Sequence, residues 1–583
     1  MLILMFFAFL LLTAGSISGW GAAALPGSVS WPAKFGAGSL VLFFLISAAG
    51  WSGLLIPGVL WIILGIGMLL WVRPGRLSIP KGGLYIAVCG MLLMPLVLLP
   101  PVSRDAMIHH LYQARMWLEA GRIVRPEWSG FFSYPYLTES FYALAGGTFG
   151  FKLSRVVSLL GFLASCSVIT GYFLRKGRRR AAILSLAILL SIPELFRNAS
   201  WSYSDSFLIF FALLAYVEML RKDGNPVLAV LWAGGASCCK YNGFLVLVSV
   251  CLLLPLYFRN MSRKTLIISA CAAIFTTAWW ALPNILQWGN PVYPLFRGLL
   301  GPEYHISARA SEYFATGSYS TTLKGITDYL LLPIRMSLHG EWNNPALFDG
   351  ASGPLLLAGT IIAVPVLSNR RRKFLLPLLY IVLTLISKGE AIRVRYLLPG
   401  FAMLAIPVSE AMYKLLTGAS RTVKYATGLL IGVCLVWSAD RITDLYAYEM
   451  PWRESSTYLS EKAPYYDFFL ECERFITPED TTLLVNLGKP FYYPGYAIFD
   501  VRSAPLELME MLWAGMEPVE IVDSLKIRGI SHLAVDMFIT SINVSPELSE
   551  DELRQWRKFV SLHLNPLFTL DNYILFEIRT DNS

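Results

Sequence analysis

Charge is scarce in this chain. Of its 583 residues only 15% are Asp, Glu, Lys or Arg, where a soluble globular protein carries roughly 25%. That deficit excludes an ordinary soluble domain. Low-complexity segments and internal repeats are also missing, so linker-like and solenoid architectures are excluded as well. The eight cysteines show no spacing that suits zinc or a disulfide framework. Seven lie in or beside apolar runs, including the vicinal pair Cys238 and Cys239, and read as small buried hydrophobes; only Cys472 is elsewhere. The first residues have neither a basic n-region nor a small-residue cleavage site, so 2–20 is expected to be a span rather than a cleaved signal.

What is present is hydrophobicity: 55% of residues are apolar and the mean hydropathy is +0.55. Apolar runs long enough to cross a hydrocarbon core of about 30 Å recur along the chain. They fall at 2–20, 37–53, 55–72 and 83–100, then at ten more positions between 153 and 439. A β-barrel, with shorter alternating segments, does not fit. The expected fold is a polytopic α-helical membrane protein of 12 to 14 spans. The run 37–72 is either one tilted helix or two spans joined at "AAGWSGLLIPG", and the side of the N-terminus hangs on that choice.

Charge is also unevenly spread. The segment from Asp440 to Ser583 holds 24 of the 39 acids and 12 of the 48 bases, a balance of −12 against +21 for the rest. Basic clusters sit in the short segments 73–81, 175–180, 221–222, 259–264 and 369–373, which the loop-charge rule assigns to the cytoplasm. The segments 101–152, 197–204, 240–242, 284–351, 388–395 and the tail then share the opposite side. Three regions follow: N-terminal spans 1–82, a membrane core 83–439 with outer loops 101–152 and 284–351, and a soluble extracytoplasmic domain 440–583. In the tail "TTLLVNL", "YAIFDV", "SHLAVD" and "YILFEI" read as strands, while "APLELMEMLWAG" and "SPELSEDELRQWRKFVSL" read as helices, giving a small α/β domain.

The segment "SRDAMIHHLYQARMWLEAGRI" (103–123) follows directly on an apolar run. As a helix over 104–120 it carries Met107, Leu111, Ala114 and Leu118 on one face and Asp105, His109, Tyr112 and Met116 on the other, an amphipathic helix suited to the membrane surface. Asp105 in its first turn serves as a cap, or makes with a histidine one turn away an acid/base pair or two-thirds of a metal site.

This segment resembles the "D-A-x-x-Y-H-L-x-x-A-x-x-W-L-x-x-G" stretch of GT-C glycosyltransferases, the group related to protein O-mannosyltransferases and lipid A aminoarabinose transferases. Five further segments agree in order: "YPYLTESFYALAG" (134–146), "YSDSFLIFFALLAYVEML" (203–220), "AGGASCCKYNGFLVL" (233–247), "NPVYPLF" (290–296) and "RVRYLLPGFAMLAIP" (393–407). The resemblance implies transfer of a sugar from a polyprenyl-phosphate carrier to a glycan, lipid or protein acceptor at the outer face, with an essential acid in the first outer loop; Asp105 is the matching position. Many relatives have an acidic pair there and this chain has Arg104-Asp105-Ala106, so no metal or other cofactor is expected. The bilayer is a partner and nucleic acid is not. The expected location is a bacterial cytoplasmic membrane, with the tail in the periplasm.

The residues suggest a division of labour. Nucleotide sugars are not expected outside the cytoplasm, so the donor arrives in the bilayer plane, and cations must meet the phosphate that accumulates charge as the glycosidic bond breaks. Lys240, Arg393 and Arg395 lie at outer ends of spans, where a cation tends to face a cavity, and Arg395 offers a two-pronged guanidinium. Asp105 is the expected general base. His109, His110, Asp205 and Tyr396 complete the expected substrate-binding set. A transporter or flippase for lipid-linked saccharides, or a non-catalytic assembly component, is the alternative; a transporter would show repeated halves and mid-bilayer charges.

Overall fold

The computed structural model describes residues 1–27, 29–73, 80–259, 261–296, 299–300, 326–388, 392–500, 507–543 and 545–579. Residues 301–325 of the expected outer loop 284–351, most of the basic segment 73–81, and 389–391 lie outside the described residues.

Every apolar run read from the sequence is helical. The run 37–72 is two helices: α2 (Trp31–Trp51) ends at a turn, and α3 (Pro57–Val72) begins with Pro57 in its first turn, where a missing N–H costs nothing. They pack with α1 (Leu2–Ala24) through glycines. A Cβ on Gly19 would collide with the Gly67 carbonyl, and one on Gly38 with the Ile17 carbonyl. Close backbone approach of this kind is how helices associate where burial of oil against oil gains little.

The core continues with α4 (Gly83–Val97), α5 (Leu111–Glu119), α6 (Leu137–Thr148), α7 (Ser154–Leu174), α8 (Arg179–Leu190), α9 (Pro193–Ser200), α10 (Asp205–Leu220), α11 (Pro226–Cys239), α12 (Tyr241–Tyr257) and α13 (Arg263–Trp288). It closes with α14 (Ile326–Leu338), α15 (Pro354–Val366), α16 (Arg372–Lys388), α17 (Val394–Gly418) and α18 (Arg421–Glu449). Among the described residues six helices are long and apolar enough to cross a membrane, and α8 with α9, bent by 79°, makes a seventh; five shorter apolar helices accompany them. Helices α7, α10 and α17 form the buried centre, whereas α13 and α18 expose most of their apolar surface. Exposed Leu, Ile and Phe along helices such as α13 and α18 suit contact with lipid.

The last membrane helix continues to Glu449, beyond the expected boundary at 440. Buried Arg155 on α7 donates to Glu449 (3.1 Å), to the carbonyls of Leu96 and Pro100, and to the Tyr458 hydroxyl. Glu449 also accepts from Trp201 and Tyr458. This network fixes the end of α18, and with it the tail, to the core.

The tail carries a five-stranded sheet in the order β2-β1-β3-β5-β4, from β1 (Thr481–Val485), β2 (Tyr496–Asp500), β3 (Ile530–Asp536), β4 (Leu564–Leu570) and β5 (Tyr573–Ile578). Strands β1, β2 and β3 are parallel, and β5 and β4 join antiparallel. The helix foreseen at 545–562 starts at Glu550, where Ser549 and Glu552 form a capping box. The edge strand β2 is covered by α5. Tyr112 exchanges hydrogen bonds with both the N–H and the C=O of Ala497, each at 2.8 Å. Arg115 donates to the carbonyls of Phe491, Tyr493 and Pro494.

This docking corrects the surface-helix expectation for 104–120. Residues Ala106–His110 form a π-helical turn leading into α5, and both faces are buried, one by the core and one by the tail. The 3.6-residue periodicity does not hold through a π turn, which widens the spiral and brings His109 and His110 together under Asp105.

Candidate functional site

Three chain segments meet at the tail-facing end of the core. The π turn brings Asp105, the start of α10 brings Asp205, and the start of α17 brings Arg395 and Tyr396. Lys240 lies in extended backbone between α11 and α12, a hairpin so tight that a Cβ on Gly243 would strike the Ala236 carbonyl.

Asp105 and Asp205 both stand where a helix begins, and the Asp105 side chain makes no capping hydrogen bond. Arg395 donates to Asp105 at 2.6 Å. Lys240 reaches both oxygens of the fully buried Asp205 at 3.3 Å. The rings of Tyr203 and Tyr396 stand beside Arg395, each 5.3 Å from its guanidinium carbon. Tyr396 is also approached by Lys240 (5.5 Å) and Lys388 (4.6 Å). Desolvated cation–π contacts of this kind contribute on the order of 2 kcal/mol. Burial opposes ionisation of Asp105, but the Arg395 guanidinium in contact, helped by Lys240, holds it well below the usual carboxylate range.

Beside this lies a buried His–Glu pair. His110 Nδ1 and Glu139 Oε1 are 2.5 Å apart and both residues are buried. Burial pushes Glu139 up to about 7 and His110 down to about 3. His109 stacks on Phe131 and lies against His110, its Nδ1 without a partner; burial holds it down at about 3. Both imidazoles are therefore neutral at physiological pH.

Of the residues expected from sequence, Asp105, Arg395 and Tyr396 are assembled directly, and Asp205 and Lys240 join them through Tyr396. Arg393 turns away to Asp349 at 3.1 Å. Lys388, Tyr203 and Glu139 were not singled out. Glu139 is hidden in an apolar stretch, and its position inside "YPYLTESF" was the only signal. Among the described residues no group of three or more His, Cys, Asp or Glu is arranged to hold a metal ion.

An apolar cavity of about 660 Å³ lies apart from this cluster, between α2 and α13, lined by Trp51, Arg125, Phe275, Trp279, Leu286 and Gln287 among others. Arg125 bonds Asn284, and Asn284 donates to Tyr241, the residue after Lys240.

Residues 130–389 match a family described as "Domain of unknown function (DUF8201)". That stretch contains Glu139, Asp205, Lys240 and Lys388 but neither Asp105 nor Arg395. No curated relative matches the sequence. Among solved structures the chain resembles ArnT from Cupriavidus metallidurans in the apo state (TM-score 0.52, 14% identity, 85% of this chain and 98% of that one). It resembles ArnT bound to undecaprenyl phosphate equally (0.51, 16%, 85% and 98%). The archaeal oligosaccharyltransferase AglB from Archaeoglobus fulgidus, in complex with an inhibitory peptide and a dolichol-phosphate, aligns at TM-score 0.42 and 12% identity over 86% of this chain and 75% of that one. What the chain shares with ArnT at these identities is the architecture, the GT-C fold.

Proposed function

We propose that this chain, built on the GT-C fold, is a membrane glycosyltransferase that moves a sugar from a polyprenyl-phosphate carrier to a glycan, lipid or protein acceptor on the side of the membrane where the tail lies. The observation that carries the reading is the Asp105–Arg395 contact at 2.6 Å, set between Tyr203 and Tyr396 with Lys240 and Lys388 alongside. Three cations along a common aromatic wall, with Asp105 on Arg395 and Asp205 on Lys240, suit a reaction that releases a phosphate and removes one proton.

In this reading the acceptor hydroxyl oxygen attacks the anomeric carbon from the face opposite the phosphate. The C–O bond to phosphate breaks, its electron pair stays on the phosphate oxygen, and the hydroxyl proton passes to Asp105. Inversion follows from the single displacement. A phosphate leaving group needs little acid assistance, so the carboxylic acid partner that glycosidases require is dispensable. Arg395 would grip two phosphate oxygens. In doing so it would leave Asp105, and a carboxylate freed of its guanidinium becomes a stronger base. The pair thereby couples donor binding to activation of the base.

General-base assistance contributes about 10²–10⁴-fold, so Asp105→Asn should remove nearly all turnover at unchanged membrane abundance. The test is complementation of a strain lacking the gene, with envelope glycans and polyprenyl-phosphate sugars profiled by mass spectrometry. The expected result is a missing sugar and accumulated donor, as in the deletion. A wild-type profile with Asp105→Asn would sink the base assignment and favour the transport or assembly reading.

A further inference from the structure

Arg197 on α9 is 1% exposed and only partly satisfied. Its Nη2 serves Glu194 (2.9 Å), the Asp349 carbonyl (2.8 Å) and the Asp349 carboxylate (3.3 Å), while Nε and Nη1 are buried without partners. Trp201 covers the face of the guanidinium at 4.7 Å, leaving the in-plane N–H groups as what is unmatched. The Nε of Arg395 is unmatched and buried too. Asp349 draws in a third guanidinium, Arg393, at 3.1 Å, and its charge also interacts with that of Arg395. Asp349 thus stands among three arginines, with Glu194 on Arg197 and Asp105 on Arg395, and the three arginines still hold three unused buried donors between them. Unused guanidinium donors suit a ligand rich in acceptors, and a tetrahedral oxyanion offers more acceptor sites than a carboxylate.

The segment that delivers Asp349 is held under strain. Asn343 (φ 58°), Phe348 (φ 65°) and Asp349 (φ 46°) all adopt the left-handed conformation that side-chain-bearing residues avoid. Gly340 and Gly350 meet so closely that a Cβ on Gly340 would strike the Gly350 carbonyl. Strained backbone persists where its contacts over-determine it. Here the contacts are the segment's own bonds, Asn343 N–H to the Asp349 carboxylate (3.1 Å) and Asp349 N–H to the Asn344 carbonyl (2.9 Å), the buried Phe348 ring, the Val394 N–H donating to the Phe348 carbonyl (2.9 Å) and the arginine grip on Asp349. Taking away the last of these leaves a segment with reason to relax.

We infer that Asp349 occupies the place of a ligand phosphate: in the resting protein its carboxylate engages Arg197 and Arg393 beside Arg395, and a phosphate-bearing ligand displaces it, with Arg197 becoming a phosphate ligand and residues 339–353 moving away. This rests on the polyprenyl-phosphate reading above and adds to it a ligand residue, Arg197, and an internal competitor, Asp349. The competitor keeps the arginines neutralised and ordered while the site is empty. Every donor that binds must first replace it.

The experiment uses the full chain in detergent with farnesyl phosphate as probe and farnesol as the control lacking phosphate. Affinity and amide hydrogen exchange are measured for wild type, Asp349→Asn and Arg197→Lys. Wild type should bind farnesyl phosphate and not farnesol, and 339–353 should exchange faster when it is bound. Asp349→Asn should bind about tenfold tighter, the equivalent of one charge-assisted hydrogen bond no longer competing. Arg197→Lys keeps the charge but loses the fork, and should bind about tenfold weaker. If wild type prefers farnesyl phosphate while Asp349→Asn binds no tighter and exchange in 339–353 is unchanged, the displacement idea is overturned and the transferase reading survives. If wild type does not distinguish farnesyl phosphate from farnesol, both fall. The wild-type exchange measurement stands even where a variant fails to fold.

Discussion

Asp105 caps the π turn by position and Asp205 is the first residue of α10, and both pair with a cation from a distant segment instead. That choice separates a site from a structural detail at the scale of single residues. A cap satisfies the backbone beside it, whereas these two tie α17 to the π turn and the α11–α12 hairpin to α10. A third acid shows the opposite behaviour. Asp500, at the end of β2, is 3% exposed and accepts a hydrogen bond from the Leu508 N–H at 2.9 Å. Burial pushes it up to about 7. A carboxyl raised in the folded state stabilises fully below its unfolded value of about 3.9, and that contribution fades as pH rises through about 7. Relative to wild type, the melting temperature of Asp500→Asn, uncharged throughout, should therefore rise between pH 5 and 8, as the wild type loses what the protonated carboxyl contributes. An equally steep slope in Asp500→Asn would show that the charge is borne elsewhere.

At the scale of elements, buried ion pairs act as bolts between helices rather than as net sources of stability. Arg155 and Glu449 are each 1% exposed, and they hold the end of α18 to α7 and to the backbone after α4. Arg155→Met leaves Glu449 buried and uncompensated, which should cost about 3–5 kcal/mol. Adding Glu449→Gln should recover much of that, because both charges are then gone. Thermal unfolding of the detergent-solubilised single and double variants measures this; a double variant no better than the single would mean the loss lies in packing. Elements of this kind differ in how legible they are from sequence. The apolar helices are plain, because a run of Leu, Ile and Phe has few other fates. Strands β1, β2, β3 and β5 were readable from β-branched and aromatic residues, whereas β4 contains Pro566, which only an edge strand tolerates, and so hides its type. The π turn at Ala106–His110 has no local signature. It is imposed by Arg395 on one side and the docked tail on the other, both distant in sequence. The same holds for the site: Asp105, Lys240 and Arg395 stand out as charges at span ends, but Lys388 and Glu139 acquire meaning only from neighbours that the fold supplies.

For the whole molecule the decisive question is sidedness, because it selects the donor. Val29, Trp31, Lys81, Arg175, Arg221 and Asn225 line a single cavity, so the turn between α1 and α2 gathers with three basic loops at one end. Leu2, Pro100, Tyr466 and Pro494 line another, where the start of α1, the first outer loop and the tail come together. The two ends differ in charge as they differ in position: the tail carries −12 and the remainder +21. Basic loops are retained on the cytoplasmic side, so Asp105, Arg395 and the tail should all face outward. Lys222 and Ser456 are exposed on the basic and tail-bearing ends respectively, and each can be replaced by Cys in a chain freed of its native thiols. A membrane-impermeant maleimide applied to intact cells or spheroplasts should label Ser456→Cys at once and Lys222→Cys only after permeabilisation. The opposite pattern would put the Asp105 cluster in the cytoplasm, where nucleotide sugars are at hand. The topological ground for a polyprenyl-linked donor would then be gone, whatever the fold, and the arginines around Asp349 would have to be tested against a nucleoside diphosphate instead.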